Sequence, residues 1–467
     1  MLESDKVQSS EQGKAKLREA YKKAGLTIDK LVEMASVSVD TIQRLRGIKK
    51  CPNGVERWAV KNIAKALGIE PTDIVDPKDW YRQYELPAEF KSVIQEKIKK
   101  FCGRQFVFDE IDQFLRKETK GYFTVIGDAG MGKTALAAKL IDDRYYHCYF
   151  NILAEGRNRP EQFLTSIREQ LIQRYQLQNA ATDDLPTLLE KISQKLTTGE
   201  RLIIVVDALD EVEQEPGDNL LYLPTTLPDR VYFVLTRRPY ILEKKRLFVS
   251  PGVPYQELDL REEKYMKLSY IDIKDYIRLF LQDPEYQEKL KKWIQKSNTT
   301  AEAFVEQVAI KSQNNFMYLR HLLPAIAKGK YDNWELRQLP DGLQEYYQTH
   351  WVRMGMDKDP QKMIVILLFI LVEIGTPIPC EMMAKIAAQD EAEVGNVLAK
   401  WWFEYLTVQE IQGEKCYSIY HASFLDFLKG KRELKATRKL FDEVNGRITD
   451  YLEGEMAEDD EEGEDEE

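Results

Sequence analysis

Gly127-Asp128-Ala129-Gly130-Met131-Gly132-Lys133-Thr134 is the stretch that decides how the rest of this chain is read. It fits the pattern Gly-x4-Gly-Lys-Ser/Thr, with a β-rich run, Tyr122 to Ile126, in front and a helical stretch, Ala135 to Ile141, behind. Glycines let consecutive backbone N–H groups converge on one centre without a Cβ in the way. The start of a helix adds partial positive charge at that centre. A turn of this make cradles phosphate: Lys133 would reach the β and γ phosphates, and the Thr134 hydroxyl would ligate Mg2+. Gly127 through Thr134, with Ala135 beside them, are the candidate nucleotide-binding residues.

Further along, Leu202-Ile203-Ile204-Val205-Val206-Asp207 is an apolar strand ending in a carboxylate, the Walker B pattern. Asp207 then joins Thr134 as a candidate metal ligand, directly or through water. Asp210 and Glu211 follow closely. One of them could polarise an attacking water, or either could cap a helix at the surface. Val231 to Leu235 is another strand-like run, and it ends in Thr236-Arg237-Arg238-Pro239. A cation at the tip of a neighbouring strand can sense a γ phosphate; Arg237 or Arg238 can equally form a structural salt bridge. Asp210, Glu211 and Arg237 are the catalytic candidates. Helical segments, Pro160 to Gln176 and Leu185 to Leu196, lie between the strands, which predicts a parallel sheet covered on both faces. After about residue 262 helical periodicity runs to Tyr451, with one hairpin expected at Leu406 to Ile419 around Gly413. No repeat with a period of 20–50 residues is visible.

Ahead of the loop, residues 14–69 read as short helices. Lys14 to Ala24 stops at Gly25; Thr27 caps a helix through Met34; Ser38 caps Val39 to Leu45, which Gly47 stops. After Pro52-Asn53-Gly54, a further helix is expected over Val55 to Leu67. Residues 1–70 carry 14 Lys/Arg against 9 Asp/Glu, with the excess around Arg44, Arg46, Lys49 and Lys50. Residues 71–100, punctuated by Pro71, Pro77 and Pro87, read as a linker with a helix.

The whole chain has 467 residues, enough for about three domains. At 43% hydrophobic and 31% charged it has a globular composition. Its five cysteines are scattered singly, without a Cys-x-x-Cys pair, so neither a zinc site of the usual spacing nor a disulfide framework is expected. The N-terminal stretch lacks the apolar core of a signal peptide. The longest apolar run, Met363 to Val372, is too short for a bilayer. A cytoplasmic chain with no membrane partner is the expectation. Ten acidic residues and no basic ones fall in Gly454 to Glu467, so without that tail the net charge moves from −11 to −1. The tail is expected to be disordered, either as a solubility aid or as a mimic of nucleic-acid charge.

Together these pieces resemble the NACHT branch of the STAND nucleoside triphosphatases, over roughly residues 100–430. The resemblance rests on Gly103-Arg104 ahead of the phosphate loop, the loop itself, Asp207-Ala208-Leu209-Asp210-Glu211 and Thr236-Arg237-Arg238-Pro239. It extends to Leu339-Pro340-Asp341-Gly342-Leu343 with Tyr346-Tyr347, and to Ile419-Tyr420-His421-Ala422-Ser423-Phe424-Leu425-Asp426-Phe427-Leu428. It implies a multidomain, mainly α chain around an α/β P-loop NTPase core. The expected segments are a helix-turn-helix domain (1–70), a linker (71–100) and a nucleotide-binding domain (101–261). A helical domain (262–345), a winged-helix domain (346–430), a C-terminal helix (431–453) and the acidic tail (454–467) follow. ATP or ADP with Mg2+ is the implied cofactor. By position, His421 matches the winged-helix histidine that holds the β phosphate of ADP, and Gly103 and Arg104 lie on the adenine side. Asn315-Phe316 stands where relatives often have a base-contacting proline, a departure that leaves Phe316 to stack or pack there.

The N-terminal segment separately resembles the Cro/repressor-type helix-turn-helix, an all-α bundle whose second helix enters the major groove. Ser38, Asp40, Thr41, Gln43 and Arg44 would then face bases or phosphates, with Arg46, Lys49 and Lys50 along the backbone. Small helical bundles of this kind also make homotypic protein contacts, and both readings stay open. The combined resemblance implies a slow, regulatory ATPase of prokaryotic antiviral defence. It would be closed with ADP and driven to homo-oligomerise by a phage-derived or cellular trigger. An ATP-regulated DNA-binding transcription regulator is the alternative, and an ATP-driven remodelling motor a third possibility.

Overall fold

The computed structural model describes residues 6–52, 54–81, 86–196, 200–214, 217–239, 247–353, 356, 362–399, 405–411, 413–419, 421–431 and 442–451. The chain divides into two compact units. The first comprises residues 1–127, 133–151 and 159–261; the second comprises 128–132, 152–158 and 262–467.

The first unit begins with helices Glu11–Ala24, Ile28–Ala35, Val39–Leu45 and Arg57–Leu67. Ser10, Thr27 and Ser38 cap three of them, accepting from the backbone N–H of Gly13, Lys30 and Thr41. Leu17, Leu31, Ile42, Val60 and Ile63 are fully buried between the helices. The expected all-α bundle needs one correction. Val55 is not helical: Val55–Glu56 (β2) pairs antiparallel with Lys6–Val7 (β1), Val7 opposite Val55. Gly54, at φ +69°, turns the chain so close to Val7 that a Cβ there would sit 2.9 Å from its carbonyl oxygen. The β-branched Val55 then buries as a strand residue.

The segment expected as a linker contains helices Pro77–Tyr81 and Ala88–Ile98, both packed on the helix Lys133–Arg144 that follows the phosphate loop. Behind it stands a five-stranded parallel sheet of Gly121–Ile126 (β3), His147–Phe150 (β4), Leu202–Asp207 (β5), Val231–Arg237 (β6) and Tyr255–Asp259 (β7). Its order is β4-β5-β6-β3-β7. Every residue of β3 to β6 is buried, as apolar strands sandwiched between helices must be. The sequence pattern reveals β3, β5 and β6 but not β4, which is four residues long, nor β7, an edge strand with mostly polar residues.

The second unit holds helices Glu263–Gln282, Gln287–Lys296, Ala301–Ser312, Phe316–Ala327 and Gly342–Arg353. Lys362–Ile374, Cys380–Ala387, Glu391–Val397 and Ala422–Lys429 follow. Ile378–Pro379 (β8), Leu406–Ile411 (β9) and Glu414–Ile419 (β10) form an antiparallel sheet in the order β8-β10-β9. Its β9–β10 hairpin turns at Gly413, at φ +87°, as expected. The apolar run Met363 to Val372 is a core helix: Ile364 to Leu368, Ile370 and Leu371 are all at most 3% exposed. Among the described residues no helix is long and apolar enough to cross a membrane. Residues 442–451 are helical, inside the segment expected as a C-terminal helix. The acidic tail lies outside the described residues.

Candidate nucleotide site

In the first unit the sheet order determines which side chains meet. Strand β6 runs between β3, which leads into the phosphate loop, and β5, which ends at Asp207. The tips of these three strands therefore lie side by side, at the carboxyl edge where open α/β sheets bind ligands. Asp207 is 2% exposed. The Thr236 hydroxyl donates to its Oδ1. Burial pushes the Asp207 carboxyl above the ordinary range, while hydrogen bonds from Thr236 and Thr134 and the charge of Lys133 pull it back. A buried carboxylate meeting a threonine hydroxyl suits a hard divalent cation that keeps several waters. Lys133 donates to the carbonyl oxygen of Gly127 at 2.7 Å.

Two of the catalytic candidates, Asp210 and Arg237, are held in salt bridges by other residues. Asp210 accepts from the Arg238 backbone N–H at 2.8 Å and pairs with the Arg238 guanidinium at 3.1 Å. Arg237, 7% exposed, pairs with Glu257 on β7 at 2.8 Å, so both arginines make salt bridges. Glu211 ends a single 3-10 turn that starts after Ala208, itself left-handed at φ +55°. Gly103 and Arg104 take left-handed conformations at φ +71° and +65°, where the helix Gln105–Lys117 begins; Arg104 is 2% exposed. Ala135 lies in the first turn of Lys133–Arg144.

The loop residues Asp128 to Gly132 belong to the second unit. Gly130 and Gly132 stand at φ +84° and +85°, so both need glycine. The Met131 N–H closes a turn on Asp128 O at 3.3 Å. Phe316 opens the helix Phe316–Ala327; its backbone N–H donates to Gly130 O at 2.9 Å and its ring meets Tyr276 edge-on at 5.4 Å. Asn315 caps that helix and donates from Nδ2 to Ala129 O at 2.9 Å. In the sequence Asn315 marks only a departure from the family pattern and has no place in the site; an asparagine before a helix signals a cap, but not what its other end holds. Thr236 likewise stands in its motif without a site role.

His421 caps Ala422–Lys429. Its Nδ1 accepts from the Ser423 backbone N–H at 3.1 Å, so a neutral ring carries its proton on Nε2. Ser423 Oγ lies 2.7 Å from the same Nδ1 and 3.0 Å from the Tyr347 hydroxyl.

The candidate DNA-contacting residues are partly engaged with their neighbours. Ser38 Oγ and Thr41 Oγ1 lie 2.9 Å apart at the start of Val39–Leu45, which also carries Gln43. Asp40 pairs with Arg44 at 2.8 Å and with Lys49 at 2.7 Å. Those cations hold its carboxyl below the usual range, the Lys49 hydrogen bond most of all. Arg46 lies over the Tyr21 ring at 4.7 Å, and Lys50 is exposed.

Among solved structures, a STAND protein with a tetratricopeptide-repeat sensor from Pyrococcus horikoshii is 17% identical over 76% of this chain, with a TM-score of 0.33. The match covers 45% of the Pyrococcus chain, so this chain spans less than half its length. Drosophila ORC bound to DNA is 10% identical over 72% of this chain and 97% of its own, with a TM-score of 0.29. A variant of RuvB from Thermotoga maritima is 13% identical over 70% of this chain and 95% of its own, with a TM-score of 0.25. Likenesses this distant add nothing to the site geometry. No curated protein matches the chain. Residues 122–283, from strand β3 past the phosphate loop, β5, β6 and β7, match the NACHT domain family, so this part of the chain is similar to NACHT-type P-loop NTPase domains.

Proposed function

We propose that the chain is an ATP/ADP-switched STAND NTPase of prokaryotic antiviral defence, resting with ADP and oligomerising on activation. The observation that carries the nucleotide part is the meeting of Thr134, Lys133 and Thr236 around the buried Asp207. Bound Mg2+ would supply charge neutralisation for the phosphates. Thr134 and Asp207 would hold it, Lys133 would leave Gly127 O for a phosphate oxygen, and Asp210 or Glu211 would orient water.

In the resting state His421 would donate from Nε2 to the β phosphate. The helix after β8 and the β9–β10 hairpin support reading residues 346–430 as a winged helix. A switch from 1:99 to 99:1 needs about 5.5 kcal/mol of differential affinity. One charge-assisted hydrogen bond supplies only about 1.5–3 kcal/mol. His421 is thus one part of the lock, and packing or a trigger adds the rest.

The N-terminal bundle would bind DNA or act as an effector or adaptor module. The two capped helices around the left-handed Ser36 favour the helix-turn-helix reading, and with it the second possibility, a transcription regulator. A single preferred DNA sequence would support regulation; salt-dependent, sequence-independent binding gained on oligomerisation would support defence.

The test is calorimetry with ADP and ATP on the purified chain and on Lys133→Ala. Micromolar or tighter uptake that disappears in the variant is expected. Uptake that survives the substitution means the loop has been misread.

A further inference from the structure

Two loop carbonyls, Ala129 O and Gly130 O, accept hydrogen bonds from the start of the helix Phe316–Ala327. Asn315 Nδ2 donates to the first at 2.9 Å; the backbone N–H groups of Phe316 and Met317 donate to the second at 2.9 and 3.4 Å. A trans peptide points its N–H opposite to its C=O, and the loop peptides are trans. Holding Ala129 O therefore aims the Gly130 N–H the other way, into the loop where phosphate oxygens bind, while the Met131 N–H is already used on Asp128 O at 3.3 Å.

Asn315 is used at both ends. Its Oδ1 accepts from the Tyr318 N–H at 3.1 Å, which leaves Nδ2 as the donor to the loop. It also fills the space a side chain at Gly130 would need: a Cβ there would lie 2.3 Å from Asn315 Oδ1. The backbone leading into it is set by two successive left-handed residues, Gln313 at φ +52° and Asn314 at φ +61°. Asn314 is buried and donates to Met266 O at 3.3 Å. This bent tripeptide delivers one amide to the loop and spares the helix an uncapped end.

We propose that Asn315 is a positioning residue for phosphate binding. By gripping Ala129 O while its helix grips Gly130 O, it presets the Gly130 amide of the loop and ties the ordering of Phe316–Ala327 to occupancy by a nucleoside diphosphate or triphosphate. The proposal rests on the nucleotide reading above. Aspartate at 315 keeps the helix cap but has no donor for Ala129 O, and serine keeps a cap but is too short to bridge.

The experiment is ADP titration, with a fluorescent ADP analogue, of the full chain and of Asn315→Asp, Asn315→Ser and Lys133→Ala. Melting curves with and without ADP and amide hydrogen exchange at Phe316 and Met317 accompany it. The expected result is that ADP binds about tenfold more weakly to both Asn315 variants, the loss of one hydrogen bond. Their ligand-free melting temperature should stay near that of the parent, and the ADP-induced rise should shrink. ADP should slow exchange at Phe316 and Met317 in the parent and do so less in the variants. ADP affinity within twofold of the parent in both variants, with binding lost in Lys133→Ala, overturns this role and leaves the nucleotide reading intact. ADP binding that persists in Lys133→Ala overturns the nucleotide reading and this role together.

Discussion

Asp207 illustrates how a single residue carries opposing demands. Its carboxylate is buried, and burial disfavours the charge that a metal requires. Thr134, Thr236 and Lys133 offset part of that cost without a cation. Asp207→Asn keeps the shape, relieves the buried charge and removes the proposed metal ligand. Nucleotide binding is expected to stay within about tenfold of the parent, while Mg2+-dependent hydrolysis falls at least about a hundredfold. The melting temperature should not drop. Phosphate release and a melting curve measure both, and unchanged hydrolysis removes Asp207 from metal binding.

Glu70 gives a pH prediction at the same scale. Burial pushes its carboxyl up to about 7, helped by Asp73 and Glu200 and opposed by Arg201, 3.2 Å away. Between an unfolded value near 4.5 and the folded value, the native state holds more proton than the unfolded one. This group's contribution to stability therefore declines as pH rises from about 4.5 through about 7. Urea midpoints at pH 5 and pH 7.5 should show a smaller pH effect in Glu70→Gln than in the parent; parallel profiles would mean that Glu70 titrates normally.

Elements are legible in proportion to how local their causes are. The capped helices behind Thr27 and Ser38, the loop with its flanking strand and helix, and the hairpin at Gly413 are set by neighbours in sequence, and all are where the residues place them. Val55 reads as helical in sequence because its partner, Val7, is 48 positions away. The two strands that the sequence hides, β4 and β7, have short or polar sequences whose pairing only the sheet supplies. The grip of Asn315 on Ala129, 186 positions apart, leaves no periodic trace at all. At this scale the helix Val39–Leu45 makes a prediction, because Asp40 ties down Arg44 and Lys49. If this helix reads DNA, Asp40→Asn frees two cations for phosphates. Binding should tighten, and the slope of log affinity against log salt should steepen by about one to two. Fluorescence anisotropy with a short duplex across a salt series measures it. Identical slopes favour a protein-contacting bundle.

For the whole molecule the question is how much a single contact can decide. Under the proposed switch, ADP favours the resting state partly through His421, whose Nδ1 accepts from the Ser423 N–H, so that a neutral ring carries its proton on Nε2. His421→Ala removes that donor and leaves the phosphate loop untouched. Losing one charge-assisted hydrogen bond, about 1.5–3 kcal/mol, weakens ADP by roughly ten- to a hundredfold. That is short of the roughly 5.5 kcal/mol that separates a closed population from an open one. The ADP-loaded variant should therefore show a partial rise in oligomer by mass photometry, with full assembly still requiring a trigger or ATP. Complete assembly from this one substitution would mean that the resting state is shallower than a two-state lock needs. ADP affinity equal to the parent would take His421 out of phosphate binding and return it to its local role as the cap of Ala422–Lys429.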